Sequence, residues 1–203
     1  MSLQTVKTAV TKEKPFIDPQ SAKGRLLATA ATLFNQKGYE RTTVRDLASA
    51  VGIQSGSIFH HFKTKEAILK AVMEETIVFN THLMKARLEE APTPKDKLLA
   101  LIVCELESIN GVTGDAMAVL VYEWRSLNEQ NRNDILKLRD EYEALWIQTL
   151  NAAKESGFIE GDVFILRRFL TGALSWSKTW FNTKGKVSLE VLAEEALRLA
   201  IKS

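Results

Sequence analysis

Two adjacent histidines stand in the sequence GSIFHHFKTKEAIL, residues 56–69, among apolar residues and two lysines. Imidazoles can ligate metals, exchange protons in catalysis, or donate hydrogen bonds to an anion. Neighbouring residues on a helix point about 100° apart, so His60 and His61 are poorly placed to hold one metal. A zinc helix would carry histidines four residues apart, but those positions hold Thr64 and Lys65. With no catalytic partner nearby in the sequence, a solvated surface pair and a contact with a polyanion remain.

The composition is typical of a soluble globular protein, with 45% hydrophobic and 26% charged residues in a chain of 203. No apolar run approaches the roughly 18 residues that span a bilayer, and the N-terminus lacks an apolar segment of the signal-peptide type. The single cysteine, Cys104, excludes an intrachain disulfide and is expected to be a small core residue. These features predict a cytoplasmic protein without a membrane partner.

The charge is unevenly distributed along the chain. Residues 1–65 contain ten Lys or Arg and four acidic residues, a net charge of +6, so the remainder carries −4. A basic end on an otherwise acidic chain is typical of a module that binds a polyanion, although charge alone would also fit a lysine-rich tail.

Apolar residues recur at spacings of three and four almost throughout, which predicts an all-α protein. Residues 1–17 lack this periodicity and are expected to form a flexible arm. Asp18 is expected to cap the first helix with Pro19 at its first position, and Thr43 with Asp46 forms a capping box before the second helix. The predicted helices span approximately residues 19–37, 44–51, 55–62, 65–90, 95–110, 115–128, 132–156, 163–182 and 188–201.

The second and third helices have the lengths and the short connection, GIQS, of a helix-turn-helix. Ile58 and Phe62 lie four residues apart and are expected to face the core. Gly56 and His60 then share the opposite face, where a glycine allows the backbone to approach a partner closely. Thr43 and Lys65 begin helices on either side, and the free N–H groups of helix starts favour phosphate.

The segment TTVRDLASAVGIQSGSIFHHFKTKEAIL resembles the N-terminal signature of the TetR family of bacterial transcriptional regulators, in a match covering residues 22 to about 72. The resemblance implies a helix-turn-helix DNA-binding domain over residues 18–66. It also implies a helical bundle over residues 67–203 that binds a ligand and dimerises. A repressor of this type binds a palindromic operator on double-stranded DNA as a homodimer and leaves it when a small-molecule effector binds.

The resemblance also implies roles for individual residues. Thr43 and Lys65 match phosphate contacts, His60 matches a position that approaches bases, and Phe59 departs from the tyrosine that the family usually has there. The candidate DNA-binding residues are Thr43, Arg45, Gln54, Ser55, Gly56, Ser57, Phe59, His60, His61 and Lys65.

The C-terminal region contains no catalytic or metal-binding motif, and neither an enzyme activity nor a cofactor is predicted. Its apolar stripes predict either plain bundle core or a largely apolar pocket with a few polar groups. Family resemblance favours the pocket, with Met117, Leu120, Val121 and Trp124 on one stripe of a helix. The candidate ligand-binding residues are Met117, Leu120, Val121, Trp124, Arg125, Arg139, Tyr142, Trp146 and Lys178.

The last two helices are apolar on more than one side, which favours a partner outside their own core. The candidate dimer residues are Phe169, Ala173, Trp176, Trp180, Leu192 and Leu199. The run RFLTGALSWSKTWFNTKGKVSLEVLAEE is similar to TetR-family regulators of fatty-acid and sterol-ring catabolism, which respond to acyl-CoA thioesters. Two alternatives remain: a TetR-like interaction protein without operator binding, and an all-α enzyme acting on a small apolar substrate.

Overall fold

The computed structural model describes residues 17–202. Every regular element among them is helical, which confirms the predicted all-α class. The arm predicted over residues 1–17 lies outside the described residues except for Ile17. The helices are α1 (Ala22–Lys37), α2 (Val44–Val51), α3 (Ser55–His61), α4 (Lys65–Glu90), α5 (Pro94–Asn110), α6 (Gly114–Tyr122), α7 (Glu129–Glu155), α8 (Val163–Trp180) and α9 (Leu189–Ala200), with a 3₁₀ turn at Trp124–Ser126.

Local hydrogen bonds define the helix-turn-helix formed by α2 and α3. The hydroxyl oxygen of Thr43 accepts the N–H of Asp46 at 3.1 Å, and the Asp46 carboxylate accepts the N–H of Thr43 at 2.8 Å. This confirms the predicted capping box. Gly52 then ends α2 in a left-handed conformation with φ of 75°, which side chains with a Cβ rarely adopt. The chain turns there, and α3 begins at Ser55.

The first helix begins three residues later than the predicted first position at Pro19. Asp18 forms a turn instead: its carboxylate accepts the N–H of Gln20 and its carbonyl accepts the N–H of Ser21, each at 2.9 Å. Ser21 is the N-cap, and its hydroxyl oxygen accepts the N–H of Gly24 at 3.0 Å. A Cβ at Gly24 would lie 2.1 Å from the Asp18 carbonyl oxygen, so glycine is required for this turn to fold against α1.

The chain divides into two compact units. The first comprises the described residues up to Phe79 together with Asp115–Arg139, and the second comprises Asn80–Gly114 together with residues 140–202. The functional division predicted after residue 66 remains a prediction, because a compact unit can serve more than one function.

In the first unit, side chains from α6 and α7 form hydrogen bonds with α1 and α4. The Asp115 carboxylate accepts hydrogen bonds from Thr32 at 2.7 Å and Asn35 at 2.9 Å, both on α1. These contacts join residues about 80 positions apart in the sequence.

The start of α4 is likewise held by hydrogen bonds, from Asn131 at the start of α7 and from Asn128 just before it. The Glu66 carboxylate accepts the N–H of Asn128 and the side-chain amide of Asn131, each at 2.7 Å. The N–H of Asn128, followed by the Asn131 amide, holds the pKa of Glu66 below its ordinary value. One turn further on, the Lys70 ammonium pairs with Asp134 at 2.6 Å.

Two further predicted helix boundaries in this unit are wrong. The helix predicted over residues 115–128 ends at Tyr122, because the next residues form a 3₁₀ turn in which the N–H of Ser126 donates to the Glu123 carbonyl at 2.9 Å. The helix predicted from residue 132 begins at Glu129. Asn128 precedes it, and its side-chain oxygen accepts the N–H of Asn131 at 2.9 Å.

In the second unit, α5 packs against both α8 and α9. Thr93 caps α5 and Pro94 occupies its first turn, so both residues act as sequence rules predict. At the other end of α5, the side-chain amide of Asn110 donates to the Ser177 hydroxyl of α8 at 2.8 Å. None of the helices within residues 17–202 is both long and apolar enough to cross a membrane.

Candidate nucleic-acid interface

The third helix presents one face to solvent and the other to the core. Ile58 is fully buried and Phe62 nearly so, whereas Gly56 and His60 are exposed. A Cβ built on Gly56 would have no neighbouring atom within 4 Å. The packing of the protein therefore does not require a glycine here, while close approach to an external partner would.

The helix-turn-helix begins at α2, whose N-cap residue, Thr43, is exposed. The Thr43 hydroxyl also donates to the Asp46 carboxylate at 2.8 Å, so its proton is engaged within the capping box. At such a helix start the backbone N–H groups of Val44 and Arg45 have no partner within the helix. These backbone groups are suited to a phosphate, next to the exposed Arg45 side chain, and the phosphate contact predicted for Thr43 itself stays a prediction.

The start of α4 provides a second cationic position. Thr64 caps the helix by accepting the N–H of Ala67 at 3.0 Å. The Lys65 ammonium donates to the carbonyls of Tyr39 at 2.9 Å and Glu40 at 3.4 Å, and it lies 4.1 Å from the Tyr39 ring centroid. Because an ammonium has three N–H donors, one remains for a phosphate oxygen.

The remaining DNA-binding candidates differ in exposure. Gln54 and His61 are exposed, Ser55 and Ser57 are half-buried, and Phe59 is 46% exposed. Since Phe59 has no hydroxyl, it cannot donate the phosphate hydrogen bond that a tyrosine would give. All ten DNA-contact assignments remain predictions.

Most of the candidate ligand residues belong to the first unit. Leu120 is buried, but Val121 is 60% exposed, and Trp124 begins the 3₁₀ turn after α6 has ended at Tyr122. The predicted continuous stripe is therefore interrupted, because the helix does not extend to Trp124. The candidates in this unit are Met117, Leu120, Val121, Trp124, Arg125 and Arg139.

The other three candidates belong to the second unit. Trp146 is fully buried, with the Arg167 guanidinium 4.3 Å from its ring centroid, and Tyr142 is half-buried on the same helix. Lys178 is exposed, and its ammonium lies beside the turn that precedes α6: a Cβ on Gly114 would be 2.8 Å from it.

A buried polar cluster in the second unit was not predicted. The Tyr142 hydroxyl donates to the Glu105 carboxylate, and the Arg167 guanidinium lies 3.2 Å from Glu143. Burial raises the pKa of Glu105, with Arg167 opposing that shift, and burial together with Glu105 raises the pKa of Tyr142. The sequence signal was available, because Glu105 is an acidic residue inside the apolar run LLALIVCELESI.

The candidate dimer residues are mostly exposed in the single chain. Phe169 and Trp176 on α8 are 74% and 68% exposed, while Leu170 and Leu174 on its other side are buried. Trp180, Ala173 and Leu199 are also exposed, and Leu192 is half-buried.

Models of known protein families match both the N-terminal and the C-terminal part of the chain. The family model described as bacterial regulatory proteins, tetR family, matches residues 26–72. The model described as tetracyclin repressor-like, C-terminal domain, matches residues 91–203. The HTH-type transcriptional repressor KstR2 of Rhodococcus jostii is 30% identical over 92% of this chain and 94% of its own. The fatty acid metabolism regulator protein of Bacillus subtilis is 27% identical over 87% and 92%.

Two solved structures are also similar. One, described as superantigen PfiT, is 65% identical over 92% of this chain and all of its own, with a TM-score of 0.78. The TetR-family regulator PfmR of Thermus thermophilus is 31% identical over 86% and 96%, with a TM-score of 0.76. With both family models matched, the chain belongs to the TetR family of DNA-binding transcriptional regulators.

Proposed function

We propose that this regulator is a repressor that binds a palindromic operator as a homodimer and leaves it when an acyl-CoA thioester binds. The observation that carries the proposal is the exposed Gly56–His60 face of α3, which lies between the starts of α2 and α4 in the sequence. Such a protein would act in the cytoplasm, where the operator lies.

The proposed contacts divide into those that read sequence and those that position the protein. The His60 imidazole can donate to N7 or O6 of guanine in the major groove, and Gly56 lets the helix backbone come close. The open N–H groups of α2 and the third N–H of Lys65 are suited to phosphates on either side. Phosphate contacts would dominate the affinity, and the α3 side chains would supply the preference for one sequence.

The effector class is supported by the relatives and by the resemblance of residues 168–195 to regulators that respond to acyl-CoA thioesters. One relative is named a fatty acid metabolism regulator. An acyl-CoA combines an apolar chain with an anionic nucleotide. Arg125 and Arg139 are exposed and could meet phosphates without burying an unpaired charge.

Dimerisation is supported by the apolar side of α8. Phe169 and Trp176 expose most of their surface in the single chain, and such patches usually mark an interface. Burying one large aromatic side chain stabilises an interface by about 1.5–3 kcal/mol. In a two-fold symmetric dimer these residues are buried in both protomers. The symmetry of such a dimer also matches the two halves of a palindrome.

The test is fluorescence anisotropy with labelled DNA from the promoter of the regulator's own operon at physiological salt. We expect saturable binding that exceeds binding to a scrambled duplex, followed by release on adding a medium- or long-chain acyl-CoA. Free CoA and the free fatty acid are the matched controls. Binding without release by any thioester would refute the effector, and the absence of specific binding would refute the repressor.

A second candidate activity is stimulation of host T cells, favoured by the 65% identity with a chain described as a superantigen. A T-cell proliferation assay with the purified full chain tests it, with a heat-denatured sample as the control. Proliferation no greater than with a heat-denatured sample would refute this activity.

A further inference from the structure

Tyr39 lies in the loop after α1, and two residues of the first unit form hydrogen bonds with its backbone, one at the N–H and one at the carbonyl. Its N–H donates to Oε1 of Glu123 at 2.9 Å, and its carbonyl accepts the Lys65 ammonium at 2.9 Å. We propose that Glu123 is a positioning residue for DNA binding: by fixing Tyr39, it fixes the ammonium of Lys65 where a phosphate can meet it. This inference rests on the phosphate contact proposed for Lys65.

Tyr39 connects Glu123 to Lys65, and packing fixes its side chain in place. Its side chain is 7% exposed, and its ring packs edge-on against Phe34 with centroids 5.3 Å apart. Burial, with Glu66 and other carboxylates contributing, raises the pKa of Tyr39 to about 12. The ring therefore stays neutral under the ammonium of Lys65.

Tyr39 and the residue after it hold the ammonium of Lys65 in place. Two of its three N–H donors are used by the carbonyls of Tyr39 and Glu40, and the ammonium lies over the Tyr39 ring. A free lysine side chain samples many rotamers, and ordering it on binding lowers affinity by roughly tenfold. A lysine already ordered on Tyr39 avoids most of that loss.

Glu123 is itself oriented by the 3₁₀ turn that follows it. Its second oxygen, Oε2, accepts the Ser126 hydroxyl at 3.1 Å. The same turn contains Trp124 and Arg125, two of the candidate ligand residues. Three hydrogen bonds therefore join this turn to Lys65, and a rearrangement of the turn would release the lysine from its DNA-binding position.

The test is a double-mutant cycle on operator affinity, measured from low to high salt in the full-length protein. Glu123→Gln keeps an amide oxygen that can accept the Tyr39 N–H and should bind within about twofold of wild type. Glu123→Ala should weaken binding roughly three- to tenfold, while Lys65→Ala also flattens the salt dependence. In the Lys65→Ala background, Glu123→Ala should cost no further affinity, because it acts through that lysine.

The matched control is Asp115→Ala, which removes a carboxylate that binds α1 but does not contact Tyr39. We expect it to lower thermal stability without changing the salt dependence. If Glu123→Ala unfolds the protein, the milder Ser126→Ala replaces it and should also lose its effect in the Lys65→Ala background.

Additive losses in the cycle, or equal effects of Asp115→Ala and Glu123→Ala, would overturn the inference while leaving operator binding intact. A Lys65→Ala variant with wild-type affinity would overturn it as well. Failure of the wild-type protein to bind any operator would instead refute the proposed function.

Discussion

Substituting Gly56 by alanine should raise the stability of the protein and weaken its binding to DNA. A Cβ at this position meets no protein atom within 4 Å, so the folded chain can accept it without strain. Replacing glycine by alanine in a helix stabilises by about 0.5–1 kcal/mol, and the low end applies in the first turn of α3. The same methyl group points from the exposed face, where it would hold α3 away from the bases. The expected loss is about 1–3 kcal/mol per half-site, the worth of one base contact.

The two effects are measured on the same sample, stability by urea denaturation and affinity by anisotropy with operator DNA. Gly52→Ala is the contrasting control, because its Cβ also meets no atom within 4 Å but its φ of 75° is unfavourable for alanine. That variant should lose about 1 kcal/mol of stability or more. Wild-type operator affinity in a folded Gly56→Ala protein would show that this face does not meet DNA.

Three further predictions concern other positions. His60→Ala should relax the preference at one base pair per half-site and leave the salt dependence unchanged, as binding to a panel of mutated operators would show; a uniform loss would contradict it. Phe169→Glu combined with Trp176→Glu should give a folded monomer by light scattering, because both side chains are exposed in the single chain; a persistent dimer would contradict it. Burial raises the pKa of Glu105, so the folded state retains a proton that the unfolded state loses above about pH 4.3. The stability advantage of Glu105→Gln over wild type should therefore grow as pH rises from there through the folded pKa, and a pH-independent difference in urea denaturation would refute this.

Features governed by neighbouring residues were predictable from the sequence. The Thr43–Asp46 capping box depends on a few adjacent residues and occurs as predicted. The outward position of Gly56 and His60 follows from helical periodicity alone once the limits of α3 are set.

Competing local signals caused the boundary errors. Asp18 and Ser21 are both good capping residues, and Gly24 decides for Ser21 because it lets the Asp18 turn close against the helix. The start predicted at residue 132 is three residues late, because the capping side chain is that of Asn128.

Contacts between distant residues were beyond the reach of sequence patterns. Lys65 was predicted as a phosphate contact from its helix-start position, but the Tyr39 carbonyl that orders it lies 26 positions earlier. The Tyr142–Glu105 hydrogen bond spans 37 positions and depends on how α5 meets α7. Periodicity can show that Glu105 lies on a buried stripe, but it cannot show which side chain donates a hydrogen bond to the carboxylate.

The most direct measurement is selection of operator DNA from a pool of random duplexes by the purified protein. We predict enrichment of a palindrome whose two half-sites are read by α3 of two protomers, bound on the order of 10³-fold or more tightly than random DNA. Recovery of the starting pool without any enriched sequence would contradict the conclusion that this protein regulates genes by reading DNA.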